Sequence, residues 1–367
     1  MICTGFDAEN FRNIRTCHVT FSPGVNLFCG KNAQGKTNAM EGIYLFSRGK
    51  SFRGASDKEM TQFGEKGFSL GVSYRDADGE NDLSYTYYAG DRRRTKNGYP
   101  LTKATEFVGH FRAVLFCPDH LSLVKGGPEE RRAFLNIGIA ASRPSYLKEY
   151  ASFAHALEER NCLLKNAQKG LPCDREELVA WSASLAEYAS YLFVSRRDYI
   201  DRLSKYAPEF LSRMTDGKEK LSLFYKTDIF EENADELTRE NVRDLYNSVF
   251  LQNIDREIAA GTTLYGPARE DIELTIGGEK ARLYASQGQQ RSVVLSLKQA
   301  EGEVCREICG EMPVYLYDDV LSELDDKRRA FLLNGDTEKQ VIISSTDDRD
   351  IAAHADHVIE VVGGKFE

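Results

Sequence analysis

The chain has 367 residues and a formal net charge of −9 at pH 7, with 41% hydrophobic and 29% charged residues. Single hydrophobic cores stop growing at about 250 to 300 residues, so this length favours two lobes. The acidic balance excludes a surface coated in basic residues, and any nucleic-acid contact must be a local patch. No apolar run approaches the roughly 20 residues of a membrane span, and the N-terminus lacks a leader pattern. We therefore expect a cytoplasmic protein without a membrane partner.

The segment that says most about function lies near the N-terminus and follows the pattern G-x-x-x-x-G-K-[ST]. It consists of Gly30, Lys31, Asn32, Ala33, Gln34, Gly35, Lys36 and Thr37. In such a loop, backbone N–H groups surround the β-phosphate, the lysine reaches the β- and γ-phosphates, and the hydroxyl suits Mg²⁺. Val25–Cys29 predicts a strand before the loop, and apolar residues at helical spacing predict a helix after it. The sequence therefore predicts nucleotide binding.

Three regions follow one another along the chain. Residues 1 to about 120 alternate short strands with turns, including a strand at 83–88 and a hairpin turn at Asn97-Gly98. Residues from about 128 to 260 predict helices, and from about 261 strands and helices alternate again, with buried parallel strands at 314–317 and 341–344. We expect lobe I to comprise residues 1–125 and 261–367, and a helical lobe II to be inserted at 126–260.

The helical region carries start and stop signals. Pro128 suits the first turn of a helix, and a second helix should stop by Gly170. A third carries an apolar stripe from Trp181 to Leu203 and is expected to end before Pro208. No heptad run is sustained over many turns, which predicts a compact lobe rather than a coiled-coil arm.

Two further constellations lie in the last third of the chain. The apolar run 314–317 ends in Asp318 and Asp319. Beside a phosphate loop, the first acid can hold the Mg²⁺ shell and the second faces the γ-phosphate. Upstream, Ser286 and Gln289 fit a capping box, which places a hydroxyl and free N–H groups at a positive helix terminus and forms an anion site. Taken alone, that box indicates only a well-capped helix.

The order of phosphate loop, 286–290, Asp318-Asp319 and the segment Ser322-Glu323-Leu324-Asp325 resembles the ABC-type ATPase heads of the SMC superfamily. Within that group the chain is most similar to the RecF family of recombination mediators. The similarity covers nearly the whole chain, in order, and is carried by the further stretches 10–13, 49–53, 116–119, 126–135, 265–271 and 286–297.

This resemblance implies an α/β fold: an ABC-type ATPase head with a P-loop (RecA-like) core, an antiparallel β-rich portion in lobe I and a helical lobe II. It implies ATP and Mg²⁺ as cofactors and a weak, DNA-stimulated ATPase that acts as a switch. The site residues that it implies are Gly30 to Thr37 for ATP, Thr37 and Asp318 for Mg²⁺, Lys36 and Asp319 for catalysis, Arg12 and Asn13 beside the nucleotide, Ser286 and Gly288 against the γ-phosphate held by a second subunit, and Asp325 at the same interface.

The implied partners are a second copy of the chain, joined through ATP, together with duplex DNA near single-strand gaps, RecR and, less directly, RecO. The outcome is recombinase loading at gaps. The chain departs from the pattern at Thr346, where many heads carry a switch histidine, at Asp319, where many have Glu, and at Ala268, where relatives often have histidine. A shorter acid without an imidazole suggests slow hydrolysis, which suits a timed switch.

Two alternatives remain open: an ATPase subunit of a membrane transporter, and a nucleotide-binding protein without a DNA partner. Basic residues weigh slightly against the second alternative. Arg92, Arg94 and Lys96 alternate along one predicted strand and share a face, and the pairs 131–132 and 196–197 lie on predicted helices. Each cluster alone is more often a solvated face. The expectation of DNA binding therefore rests mainly on the resemblance.

Overall fold

A computed structural model describes residues 1–229, 238–321, 324–333, 339–346 and 352–367. Ser322 and Glu323 of the motif that ends at Asp325 lie outside the described residues. The strands are β1 Ile2–Phe11, β2 Ile14–Thr20, β3 Val25–Cys29, β4 Gly67–Asp76, β5 Gly79–Tyr88, β6 Asp91–Lys96, β7 Tyr99–Pro100, β8 Ala113–Phe116, β9 Leu221–Lys226, β10 Asp271–Ile276, β11 Glu279–Lys280, β12 Val314–Asp318, β13 Val341–Ser345, β14 His357–Val362 and β15 Lys365–Phe366.

The helices are α1 Lys36–Arg48, α2 Asp57–Met60, α3 Ala104–Phe107, α4 Ser122–Lys125, α5 Pro128–Ser142, α6 Ser145–Gln168, α7 Arg175–Thr215, α8 Arg239–Gln252, α9 Ile254–Ala260, α10 Ala281–Tyr284, α11 Gln287–Cys309 and α12 Asp326–Leu333. A 3₁₀ helix spans Pro118–Leu121. Among the described residues, no helix is both long and apolar enough to cross a bilayer.

The central sheet has the strand order β15-β14-β3-β13-β12-β8, and all of its pairings are parallel except that of β14 with β15. The expected strands at 25–29, 314–317 and 341–344 lie next to one another in it. Asp318 pairs in register with Ser344, which pairs with Phe28. The carboxyl ends of β3, β13 and β12 therefore meet at one edge, where open α/β sheets bind ligands.

A second sheet, with the order β2-β1-β4-β5-β6-β7, is antiparallel throughout. Its strands β1, β4 and β5 have ten residues each and are longer than expected, whereas β6 and β7 are short as expected. The turn at Asn97-Gly98 joins β6 to β7, with φ of 51° and 80° at the two residues, which only Asn and Gly adopt readily. This sheet packs with α1 against one face of the central sheet in a shared apolar core.

The helices α5 to α8 and α11 share an apolar core with the other face of the central sheet, which includes Val114, Tyr315 and Ile343. Helix α7 has 41 residues and continues to Thr215 with Pro208 inside it, so the expected stop before Pro208 is wrong. Leu203, Ala207 and Leu211 are completely buried on this helix. Their packing carries the helix past the missing N–H of the proline.

Strand β9 from the helical region pairs with β10, and β10 pairs with β11, so residues 221–226 and 271–280 share one small sheet. The strand pairing therefore fastens the segment that follows residue 261 to the helical region. The lobe boundaries at 125 and 261 stay a prediction.

Candidate nucleotide site

The phosphate loop joins β3 to α1 at the carboxyl edge of the central sheet. Its backbone needs glycine twice. Gly35 has φ 121°, and a Cβ there would lie 3.0 Å from Asn13 Oδ1, whereas a Cβ at Gly30 would lie 2.3 Å from the Val361 carbonyl oxygen. Among the described residues no side chain caps the N-terminus of α1, which leaves its first N–H groups at the loop as an anion site.

A cleft of about 380 Å³ opens over this loop. Its lining consists of Asn13, Asn32, Ala33, Gln34, Gly35, Lys36, Thr37, Asn38, Arg53, Asp319 and Ser344. Predicted site residues from three separate parts of the chain therefore share one cleft.

Lys36 contacts the loop itself. Its Nζ donates hydrogen bonds to the carbonyl oxygens of Gly30 and, at 2.9 Å, Lys31. Burial lowers the pKa of Lys36 below its ordinary value, and the nearby carboxylates of Asp319 and Asp318 oppose that shift. The ammonium group thus rests where phosphate oxygens would compete for its protons.

Thr37 and Asp318 lie together although 281 positions separate them in the sequence. The Thr37 hydroxyl donates to Asp318 Oδ1 at 3.0 Å, and the Ser344 hydroxyl donates to the same oxygen at 2.7 Å. Burial raises the pKa of Asp318, and these two hydrogen bonds oppose the rise. A hydroxyl and a carboxylate beside a phosphate loop are the oxygen donors that Mg²⁺ prefers.

Asp319 follows the end of β12 and has a left-handed backbone, with φ 52°. Its N–H donates to Ser344 Oγ at 3.0 Å, and its side chain lines the cleft. For a non-glycine residue this backbone conformation is strained by about 1 to 3 kcal/mol, and such strain clusters at functional sites. Ser344 therefore contacts both acids, a role that the sequence did not reveal.

The turn between β1 and β2 carries two predicted site residues, Arg12 and Asn13, and only one of them lies in the cleft. Asn13 lies in the cleft, where its Oδ1 accepts a hydrogen bond from Asn38 Nδ2 at 2.7 Å. The described residues that line the cleft do not include Arg12, whose guanidinium pairs with Glu41 instead. Arg53 lines the cleft and had no predicted role, although it lies in the 49–53 stretch that carried the resemblance.

Ser286, Gly288 and Asp325 form a second group. Ser286 caps α11 as predicted, because Gln289 N donates to its Oγ at 3.3 Å and Ser286 N donates to Gln289 Oε1 at 2.8 Å. Arg328 joins this terminus to Asp325, since it pairs with that carboxylate and its Nη2 donates to the Gly288 carbonyl at 3.4 Å. In the described part of the chain, none of these three predicted residues lines the phosphate-loop cleft.

One arginine of each of the basic pairs 131–132 and 196–197 is buried and has a structural role. Arg131 is 5% exposed and pairs with Asp271 through two hydrogen bonds of 2.8 Å. Arg196 is 1% exposed and donates to the Pro267 carbonyl at 2.6 Å. Arg196 holds the loop that contains Ala268, and Arg131 holds the start of β10, which follows that loop. Arg131 and Arg196 are therefore not available as DNA contacts.

The side chains on one face of the basic strand β6 have partners, although Arg92 there is still 55% exposed, and the other face is open. As predicted, Arg92, Arg94 and Lys96 share a face, but that face is engaged: Arg92 pairs with Asp57, Arg94 lies over the Tyr85 ring and Lys96 contacts His110. The exposed residue Arg93 occupies the other face.

The fold and the site together define an ABC-type ATPase head: a phosphate loop after a central parallel strand, an acid at the end of the next strand but one, and a separate capped helix terminus. Residues 1–241 match a family model described as an AAA ATPase domain. The chain is 35% identical to the DNA replication and repair protein RecF of Ruminiclostridium cellulolyticum, over 100% of this chain and 99% of that protein. Its identity to the RecF of Clostridioides difficile is 37%, over 92% and 90%. The chain belongs to the RecF family.

Solved structures agree with this assignment. A structure of the recombination mediator protein RecF with ATP, of the RecFOR pathway, superimposes with a TM-score of 0.91 at 32% identity, covering 100% of this chain and 97% of that one. An Smc head domain from Pyrococcus furiosus shares the fold, with a TM-score of 0.59 at 17% identity. The expected fold class and the resemblance to RecF are confirmed.

Proposed function

We propose that this protein is an ATP-dependent DNA-binding ATPase of replication and recombinational repair, in which ATP joins two heads and slow hydrolysis separates them. The observation that carries the proposal is the division of the site. One chain presents a phosphate-loop cleft beside Thr37, Asp318 and Asp319. The second group, made of Ser286, Gly288 and Asp325, lies outside that cleft. Two copies, face to face, would complete both sites by symmetry.

Within one head, we assign the residues 30–37 to the nucleotide phosphates, with Lys36 released from its loop carbonyls to the β- and γ-phosphates. Thr37 and Asp318 would hold Mg²⁺, which supplies charge neutralisation on the phosphates. Asp319 orients the attacking water and accepts its proton. Ser286 and Gly288 of the second head contact the γ-phosphate, and Asp325 lies at the same junction.

The partners follow from family membership. The matching RecF structures are of the recombination mediator in the RecFOR pathway, which supports RecR, and through it RecO, as partners. The dimer would hold duplex DNA near single-strand gaps and help to load recombinase. Family membership favours this function over the transporter alternative.

The test is sedimentation of the protein with and without ATP and a gapped duplex. The parent should double its mass with ATP. Ser286→Arg should bind ATP with nearly parental affinity and stay monomeric, because a bulky charge would stand at the interface. Thr238→Arg, at the N-cap of α8, is the matched control and should dimerise. A Ser286→Arg variant that still dimerises would reduce Ser286 to a helix cap.

Lys36→Met tests the cleft itself. Loss of a charge-assisted contact should weaken ATP binding by about 1.5 to 3 kcal/mol, the range for hydrogen bonds to charged groups. Calorimetric titration with ATP measures this, and unchanged affinity would remove the phosphate loop from the proposal.

A further inference from the structure

Glu41 is a completely buried acid on α1, one helical turn after Thr37. A carboxylate out of contact with water is strongly destabilising unless ion pairs and hydrogen bonds replace its hydration. Glu41 receives such replacements from two segments that are not part of its own helix. Both segments reach the nucleotide cleft.

The first segment is the turn between β1 and β2. Arg12 donates to Glu41 through Nε at 2.9 Å and Nη2 at 2.7 Å, which is a bidentate pair. Its backbone is left-handed, with φ 55°, and its N–H donates to the Met60 carbonyl at 2.7 Å. The next residue is Asn13, which stands against Gly35 in the wall of the cleft. The pair with Glu41 thus holds a strained turn whose neighbouring side chain faces the phosphate loop.

The second segment follows α1. The Ser51 hydroxyl donates to Glu41 Oε1 and accepts the N–H of Arg53 at 3.0 Å. Arg53 Nη1 lies 3.7 Å from Glu41 Oε2 and donates to Asn38 Oδ1 at 3.2 Å. Arg53 is the cation that this segment contributes to the cleft.

We propose that Glu41 is a positioning residue of the nucleotide site. Its carboxylate fastens the 12–13 turn and the 51–53 turn to α1, so that Asn13 and Arg53 keep their places on the wall of the cleft. Glu41 acts through these residues and does not itself contact the nucleotide. The inference rests on the nucleotide site proposed above.

The chain offers a matched control in its helical region. Glu257 is also completely buried and pairs with Arg160 at 2.6 Å, in a cluster that joins α6, α8 and α9. Glu257→Gln therefore makes the same chemical change in a buried ion pair that is remote from the cleft. If Glu41 only stabilised the fold, Glu41→Gln and Glu257→Gln would affect ATP binding alike.

The experiment measures the ATP dissociation constant and the single-turnover hydrolysis rate of Glu41→Gln, Glu257→Gln and the parent. We expect Glu41→Gln to lose ATP affinity about tenfold, the lower end of what supporting contacts around a bound group contribute. Glu257→Gln should stay within about twofold of the parent. Equal effects of the two variants would overturn the proposal.

A double-mutant cycle with Arg53→Ala separates positioning from stability. The loss of affinity caused by Arg53→Ala should shrink by about threefold or more in the Glu41→Gln background, because Arg53 is already displaced there. In the Glu257→Gln background, the loss of ATP affinity caused by Arg53→Ala should be as large as in the parent. Additive losses in both backgrounds would show that Glu41 does not position Arg53.

If Glu41→Gln does not fold, Ser51→Ala gives the same cycle with Arg53→Ala and leaves the Arg12 pair in place. Additive losses in that cycle would overturn the proposal. Lys36→Met keeps the two hypotheses apart. Parental ATP affinity in Lys36→Met would reject the nucleotide site, whereas weakened binding in Lys36→Met with additive cycles would reject only the role of Glu41.

Discussion

Asp319 lies in the cleft directly after Asp318, the last residue of β12, and its backbone is strained. Asp319→Asn keeps the size of the side chain and its hydrogen bonding but cannot accept a proton from water. We expect hydrolysis to slow by about 10² to 10⁴-fold, the usual contribution of a general base, and the ATP-bound dimer to last longer. Single-turnover kinetics measures the hydrolysis rate, and sedimentation with ATP measures how long the dimer lasts. Asp326→Asn, at an exposed acid, is the control, and parental hydrolysis in Asp319→Asn would assign Asp319 another role.

His120 should make the stability of the fold depend on pH. Its ring stacks on Phe116, and Nδ1 accepts the N–H of Cys117 at 3.3 Å. Burial, followed by the charges of Lys298 and Arg48, lowers the pKa of His120 well below the ordinary 6.5. The unfolded chain therefore binds a proton first as the solution is acidified, so the stabilisation present above about pH 6.5 is lost as the pH falls.

His120→Asn keeps an acceptor for Cys117 and removes the titration. The free energy of unfolding of the parent should fall on acidification by up to about 1.4 kcal/mol per pH unit more than that of the variant. Urea denaturation between pH 5 and 8 measures the slopes. Equal slopes in the parent and His120→Asn would contradict the prediction.

At the scale of elements, local signals predicted β3, the helix after the phosphate loop, and the start of α5 at Pro128. These features depend on neighbours within a few positions. Pro208 shows where local signals fail. A proline inside a helix costs about 3 kcal/mol, and burial of Leu203, Ala207 and Leu211 on either side outweighs that cost. The outcome depends on what α7 packs against, which no local pattern contains.

Strand β6 shows the same limit of local patterns: they predict which side chains share a face but not what that face contacts. Alternation predicted that Arg92, Arg94 and Lys96 share one face. Their partners on that face, Asp57, Tyr85 and His110, come from other segments of the chain. Arg92→Glu would place a second carboxylate beside Asp57, which is 6% exposed, and we expect a loss of about 2 kcal/mol in stability. Arg93→Glu, on the open face, should change stability by about 0.5 kcal/mol or less. Urea denaturation of both variants measures these changes in stability. If Arg92→Glu were as stable as the parent, the expected role of the Arg92–Asp57 pair would be contradicted.

At the scale of the whole molecule, the site is assembled by the sheet rather than by any one motif. Thr37 and Asp318 could be assigned in advance because each belongs to a motif with a known place at a strand end. Glu41, Arg53 and Ser344 could not, because their roles exist only after β13 is paired between β3 and β12 and the 12–13 and 51–53 turns close over α1. The buried states of Arg131 and Arg196 likewise depend on tertiary partners, Asp271 and the Pro267 carbonyl.

The last prediction concerns DNA. A protein of net charge −9 can hold a phosphate backbone only through a local basic surface, and ATP-driven pairing of two heads would double that surface. DNA affinity should therefore require ATP and fall log-linearly with salt, with a slope of roughly −0.9 per phosphate contacted. The side chains of Arg92, Arg94 and Lys96 on one face of β6 already have partners within the protein. Arg93→Glu, on the other face, is therefore the variant that should flatten the salt dependence of DNA binding without changing ATP affinity. Filter binding on duplex, gapped and single-stranded DNA measures this, with Ser286→Arg as the variant that binds ATP but cannot pair. If the parent retained no DNA with ATP at low salt on any of these substrates, a nucleotide-binding protein without a DNA partner would replace the DNA switch.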